Sequence, residues 1–421
     1  MPALGRVFEM RYWTEDSLAE NERRYPSIEA FTVIDDTAAD VNIFNIGNNH
    51  RMHSRTWNLS RESAGITILH DTRLLHLFCA SLIDEQSEPD IFAQIMRAYY
   101  GRAGAEACRA YFDGQIDINE LSSEFPLTEL ALINSIAVVV HTDDQQSRLT
   151  RLGIPYHRLE LPHPSRPLPA RVREPTDQLK LFTFGYISSN RCLAQILEGL
   201  SACRDDVPFR FVVAGEVAPE VQLDDLIHRH RLDDRVEMVG FLEGEVLDRH
   251  LQEADLVFNL RNPTMGEASS AQLRIWDNAA VALVSRTGWY AGIPNHAAIM
   301  TEPGREAEEV ASVVKHLHAN RDAFSNLGPE GKRHLERNHS PDHYAARLGT
   351  IAEQTHALTR PMAPFALASR CADEVAGFLG KAGWASLFGR AFDHIDALIP
   401  PPPDAFAHPA NRKSRDSSAP E

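Results

Sequence analysis

The sequence predicts an α/β protein of two doubly wound lobes, each a parallel sheet covered by helices. Three observations predict it. The chain has 421 residues, more than one hydrophobic core usually serves when domains run to roughly 100–200 residues. A stretch with five prolines, LPHPSRPLPARVREPTDQ at residues 161–178, reads as an extended connector. Beyond it, short apolar runs alternate with amphipathic segments, and closely spaced alternation implies βαβ units, because parallel strands need a crossover element.

In the first part (residues 1–165), strands are expected near VFEMRYW, FTVI, VNIFNIG, GITILH, SIAVVVHT and HRLEL. A helical insertion spans about 76–130, including PDIFAQIMRAYYGRAGAEACRAYF, and reads as a packed subdomain. Residues 166–178 form the linker. The second lobe, 179–350, opens with the strand LKLFTFG. RCLAQILEGLSACR follows, with Leu193, Ile196, Leu197 and Leu200 on one helical face. FRFVVAG, RVEMVGF, DLVFNLR and VALVS are further strands; QLDDLIHRHRL, EVLDRHLQEA and SSAQLRIWDNAA are the helices between them. Residues 351–399 should carry helices, notably 366–398, that pack back on the first lobe. The proline-rich and then polar end, 400–421, should be disordered.

Composition narrows the function. Charged residues balance as 42 − 59 = −17, which argues against binding along nucleic acid, where Lys and Arg contacts to phosphate dominate. The five cysteines are scattered without a CxxC pair, so neither a zinc site nor a disulfide framework is indicated and a reducing, cytoplasmic setting is expected. No signal-like start occurs, nor an uninterrupted apolar run of about 18 residues. Membrane contact is expected to be peripheral at most.

Open α/β sheets bind ligands beyond the carboxyl ends of their strands, where helix N-termini offer free N–H groups. Two loops fit. In FGYISSNR, Gly185 ends a strand, Ser188, Ser189 and Asn190 can cap the next helix, and Arg191 adds positive charge. In RNPTMGEASS, Arg261 leaves a strand, Gly266 permits close backbone approach, and Ser269 and Ser270 open a helix. Two such ends with an arginine beside each suit a diphosphate, although any helix needs a cap. Neither loop is GxGxxG or GxxxxGK[ST], so nicotinamide and P-loop chemistry lose support. In the first lobe, FNIGNNHRMHSRTW at residues 44–57 crowds glycine, amides and imidazoles behind an apolar run. It reads equally as a strand-to-helix turn capped by Asn48 or Asn49.

The segments FNIGNNHRMH…ITILHDTRLLH, VVVHTDD, FGYISSNRCLAQILEGL and RNPTMGEASSAQLRIWDN…VSRTGWYAGIPN resemble, in order and spacing, the retaining GT-B glycosyltransferases of family four. The likeness lies with the bacterial branch whose motifs run IGNxxxFH, LHD and PTMGETSG…GW, and it spans about residues 4–350. It implies two Rossmann-like domains, a sugar-nucleotide donor on the second, a glycan or lipid-linked acceptor on the first, and no cofactor or metal. By position, Glu267 would contact the donor sugar, the backbone at Ala268, Ser269 and Ser270 the phosphates, and Arg191 would stand for a phosphate-binding lysine. Gly185, Arg261 and Gly266 would complete the donor side. His70 of LHD would lie near the donor sugar and Asp71 would orient it. Gly47, Asn48, Asn49, His53 and Asp71 would line the cleft from the first domain. Amide, imidazole and carboxylate groups suit sugar hydroxyls, which both donate and accept.

Strand-end histidines are often satisfied structural groups, the reading given to His141 and His163. The family's second glutamate is matched by Arg274, and PALGRVFEMRYWTEDS resembles the end of the family's first helix and its second strand. The first domain is thus expected to lack its first strand, with an upstream start supplying it. The functional expectation is a cytoplasmic, retaining, metal-independent glycosyltransferase, active in the cytosol or at the inner membrane face. The alternatives are a degenerate nucleotide- or glycan-binding protein, or another activity of this fold such as an epimerase or phosphorylase.

Overall fold

A computed structural model of the chain describes residues 2–14, 28–30, 39–83, 89–167 and 178–356. Two parallel sheets organise them, as the alternation of elements predicts. Strands β1 (Tyr12–Thr14) and β2 (Ile28–Ala30) form a separate parallel pair. The expected strand FTVI, the connector from 168 to 177, the helical segment 366–398 and the tail 400–421 lie outside the described residues.

The first lobe is a four-stranded sheet in the order β3 (Asn42–Ile46), β4 (Gly65–Leu69), β5 (Ser135–Val140) and β6 (Tyr156–Arg158). Helix α1 (His50–Glu62) joins β3 to β4, and Asn49 caps it by accepting the Arg51 N–H. Between β4 and β5 come α2 (Leu75–Ile83), α3 (Pro89–Phe112, broken at Gly101) and α4 (Ile118–Glu124). A short α5 (Gln146–Arg151) precedes β6. Alternation along the strands divides the apolar residues between faces. Phe44, Ile46, Leu69, Val138 and Val140 meet Trp57, Phe78, Phe92 and Met96, so the inserted helices share the lobe's core.

The opposite face, with Ile66, Ile68, Ile136 and Val139, is covered by Leu348, Ile351 and Ala352. These belong to a helix at 341–356. The return to the first lobe therefore begins before residue 351, because the apolar stripe that fits this sheet starts upstream of it.

The second lobe has six strands, β7 (Leu179–Phe184), β8 (Phe209–Ala214), β9 (Val236–Gly240), β10 (Leu256–Asn259), β11 (Ala282–Ser285) and β12 (Ile299–Thr301). Their order is β12-β11-β10-β7-β8-β9. The connecting helices are α6 (Leu193–Ser201), α7 (Leu223–Arg229), α8 (Gly244–Glu253), α9 (Ser270–Asp277), α10 (Glu306–Ala319) and α11 (Leu327–Asn338). In β7, Leu179 and Leu181 face one core while Phe182 and Phe184 face the other. The three-residue β12 carries too little pattern to read as a strand. The order reverses between β7 and β10, and such a switch leaves a crevice beyond the carboxyl ends of these two strands.

The expected cap of α6 is corrected. Ser189–Arg191 form a 3-10 turn, Cys192 occupies the cap position at φ 56°, and no side chain caps the helix. Ser188 Oγ instead donates to Asn190 Oδ1 at 2.8 Å, and Asn190 Nδ2 to Pro263 O at 3.3 Å. The first bond braces the turn and the second fastens it to the neighbouring β10–α9 loop, so the Asn190 side chain is used across the crevice rather than along the helix.

Candidate active site

The crevice between β7 and β10 collects most of the second lobe's candidates. Gly185 leaves β7 at φ +107°, a conformation that disfavours a side chain. Arg191 turns inward beneath it and is only 5% exposed. Its Nη1 donates to Asn259 Oδ1 at 3.0 Å and its Nη2 to Phe184 O, both neutral acceptors. Burial, with Arg261 nearby, pushes its pKa down to about 10. Asn259, the last residue of β10, passes the contact on by donating to Gln272 Oε1 (2.9 Å) and Ser269 Oγ (3.4 Å). Ser269 caps α9 by accepting the Gln272 N–H. Ala268 precedes this cap and the exposed Ser270 follows it as the helix's first residue, where N–H groups lack intrahelical partners.

Arg261 extends from the end of β10. Its Nη1 donates to Asn190 Oδ1 at 3.0 Å, and its Nε lies 2.9 Å from Glu267 Oε1 but is misaligned for a hydrogen bond. The Glu267 carboxylate accepts from Thr264 Oγ1 (2.9 Å) and the Met265 N–H (2.7 Å), which fixes it within its own loop. Two further buried groups, Gln272 Nε2 and the Tyr290 hydroxyl, also lack an aligned partner among the described residues. Tyr290 sits in the electrostatic reach of both arginines. Two guanidinium groups and spare buried donors, with one carboxylate between them, favour an anionic ligand.

Gly266 makes a close approach to the first lobe. At φ +74° it packs against the first lobe, where a Cβ would stand 1.9 Å from Thr72 Oγ1 and 2.6 Å from Asp144 Oδ2. Its carbonyl accepts from Thr142 Oγ1 at 2.9 Å, and Met265 O accepts the Arg73 N–H at 3.1 Å. This loop therefore joins the lobes and brings the Glu267 region to the strand ends of the first.

There, three imidazoles stand in a row. The His53 and His70 ring centroids are 6.0 Å apart and those of His70 and His141 are 5.9 Å apart. Burial lowers the pKa of all three; His70, with the other two beside it, falls to about 4. All are neutral near pH 7. Asp71 accepts the Asn48 N–H at 2.7 Å, so it is held by the Gly47–Asn48 turn and does not orient the His70 ring as expected. Burial and the facing Glu267 push its pKa up to about 7, against the pull of Asn48 and Arg261. That coupling places the first-lobe carboxyl opposite the second-lobe cluster.

The two asparagines do structural work. The Asn48 side chain contacts His76 Nδ1 and accepts the Leu77 N–H at the start of α2, while Asn49 is the exposed cap of α1. His163 lies 3.7 Å from Asp277, away from the crevice. Arg274 is engaged by Asp248 (2.9 Å) and Gly244 O (2.7 Å). The sequence reading missed Asn259, Gln272 and Tyr290 and gave His141 a structural role; the signal for Asn259 was a lone amide closing the apolar run LVFN.

No family model matches the sequence, and no curated protein is significantly similar to it. Solved structures are. The chain superposes on sucrose-phosphate synthase from Thermosynechococcus elongatus with a TM-score of 0.52 at 15% identity, covering 75% of this chain and 74% of that one. Anabaena HepE in complex with UDP-glucose gives 0.51 at 11% identity, with 83% and 93% covered. TarM gives 0.51 at 10% identity, with 75% and 55% covered. At such identities the likeness is one of fold: the chain has the two-lobed GT-B fold of these glycosyltransferases.

Proposed function

We propose that the chain is a retaining glycosyltransferase that moves a sugar from a nucleoside-diphosphate donor to a glycan or lipid-linked acceptor, without a metal. The reading rests on one observation above others: Arg191 and Arg261 lie side by side at the sheet's switch point, with Glu267 the carboxylate that acts on both. As the bond from the anomeric carbon to the donor phosphate breaks, its electron pair moves onto phosphate oxygen, and fixed positive charge there lowers the barrier. The first-turn N–H groups of α9 add to that charge. Glu267 would hold a hydroxyl of the donor sugar, and His70 would contact the same sugar from the first lobe.

UDP-glucose, the ligand of the HepE structure, is the natural first probe. Calorimetric titration with several sugar nucleotides, combined with a donor-hydrolysis assay, tests the reading; a chain that binds none of them is not a transferase of this kind. A second reading, binding without turnover, has its own support. The Glu267 carboxylate is already engaged by Thr264, Met265 and Arg261, and Arg274 is committed to Asp248. Tight binding with no turnover for any acceptor would select it. Among the described residues no helix is long and apolar enough to cross a membrane. Cys108, Cys192 and Cys203 are free and buried, which supports a reducing, cytoplasmic setting.

A further inference from the structure

At the end of β3 the backbone of Gly47 carries no side chain, and two polar atoms crowd the place where a Cβ would stand. His53 Nε2 lies 2.8 Å from that point and Asp71 Oδ2 lies 3.0 Å from it. No hydrogen bond among the described residues joins the two. His53 is anchored through its other nitrogen, Nδ1, which is 3.1 Å from Asn45 O. A carbonyl oxygen only accepts, so that partner assigns the ring proton to Nδ1. Burial keeps the ring neutral, and Nε2 therefore presents a bare lone pair. Asp71 Oδ2 accepts the Asn48 N–H, which leaves the other carboxyl oxygen for a ligand.

We propose that His53 Nε2 and the Asp71 carboxyl together hold one hydroxyl group of a sugar, with Gly47 required so that both can reach it. This deepens the transferase reading and rests on it; the sugar is the one transferred or the one that attacks. A hydroxyl fits because it donates to the imidazole lone pair while its oxygen accepts. The high pKa of Asp71, about 7, supplies the matching proton donor over the acid and near-neutral range. Phosphate does not fit. This rim offers neutral imidazoles from His53, His70 and His141 and a carboxyl, whereas Arg191 and Arg261 belong to the opposite lobe. Asp71 nonetheless faces Glu267 and Arg261, so the hydroxyl lies at the mouth shared by both lobes.

The test is calorimetric titration of the full chain and its His53→Ala, His53→Gln and Asp71→Asn variants with UDP and with UDP-glucose. UDP release from UDP-glucose is followed in parallel, with methyl α-glucoside as the probe acceptor, and melting temperature checks the fold. UDP affinity should stay within about twofold of wild type throughout, because no UDP contact is removed. If the hydroxyl belongs to the transferred sugar, His53→Ala weakens UDP-glucose relative to UDP by about five- to tenfold, the worth of one hydrogen bond. If it belongs to the attacking sugar, that ratio holds and release with methyl α-glucoside slows by a similar factor. In either case glutamine, whose amide oxygen can accept, restores part of the loss, and Asp71→Asn acts on the same quantity as His53→Ala. An unchanged ratio with unchanged release in both His53→Ala and Asp71→Asn overturns the proposal and leaves UDP binding in place. A wild type that binds neither compound removes the transferase reading, and this proposal with it.

Discussion

Replacing Arg191 by methionine separates a ligand-binding arginine from a structural strut. The side chain is buried and gives hydrogen bonds to Asn259 Oδ1 and Phe184 O. At about 1.5–3 kcal/mol for each bond from a charged donor, their loss costs about 3–6 kcal/mol. Against this stands the cost of keeping a cation in the crevice. A pKa pulled from 12.5 to about 10 corresponds to about 3 kcal/mol held against the charged form, and methionine recovers it. The net destabilisation should therefore be no more than about 3 kcal/mol. Binding responds differently. Removing a charge-assisted contact to the diphosphate should cost about 2–4 kcal/mol, or about 30- to 1,000-fold in UDP affinity. Urea unfolding at pH 7 and calorimetric titration with UDP give the two numbers. A UDP affinity within about threefold of wild type, together with a stability loss above about 4 kcal/mol, would refute the reasoning, since only a strut behaves that way.

Three other outcomes follow from the geometry. Glu267→Gln keeps the size of the side chain but removes the charge facing Arg261, and UDP release should fall by about two to three orders of magnitude with little change in melting temperature; near-wild-type turnover would take Glu267 out of the site. Gly266→Ala drives a methyl group into Thr72 and Asp144, so the lobes should part, transfer should drop by about tenfold or more, and UDP binding to the second lobe should persist; an unchanged small-angle scattering profile with full activity would contradict this. The last concerns pH. Asp71, packed among the Asn48 N–H, His53, Glu267 and Arg261, titrates near 7 when folded against 3.8 ordinarily. The folded chain thus binds the extra proton, and stability contributed by this group is lost as pH rises from about 4 to about 7. His70, lowered from 6.5 to about 4, acts oppositely, its contribution being lost as pH falls from 6.5 toward 4. The stability advantage of wild type over Asp71→Asn should therefore shrink as pH rises from 4 to 7, and a pH-independent difference measured by urea unfolding would be inconsistent with the buried carboxyl.

Much of the second lobe was legible because its signals are local. The stripe Leu193, Ile196, Leu197 and Leu200 and the apolar runs of β7, β8 and β10 need only their own periodicity to be read. Strand β12, three residues long, offered no period to detect. The cap of α6 was misread because serine and asparagine are good caps wherever they occur, and nothing local says that Asn190 is claimed by Pro263 and Arg261. Asp71 was expected to serve its sequence neighbour His70, yet its partner is the Asn48 N–H, which β3–β4 pairing brings alongside.

By itself the sequence determined the alternation of strands and helices, the capped turns at Asn49 and Ser269, and the residue types able to meet phosphate or a sugar hydroxyl. Those properties follow from side-chain chemistry and from spacing within a few residues. The tertiary structure alone decided which of these groups share a crevice. It set Arg191 on Asn259, pressed Gly266 against Thr72, and aligned His53, His70 and His141. The reason is that strand order and lobe docking are fixed by burial summed over whole faces, and no short window of sequence carries that sum.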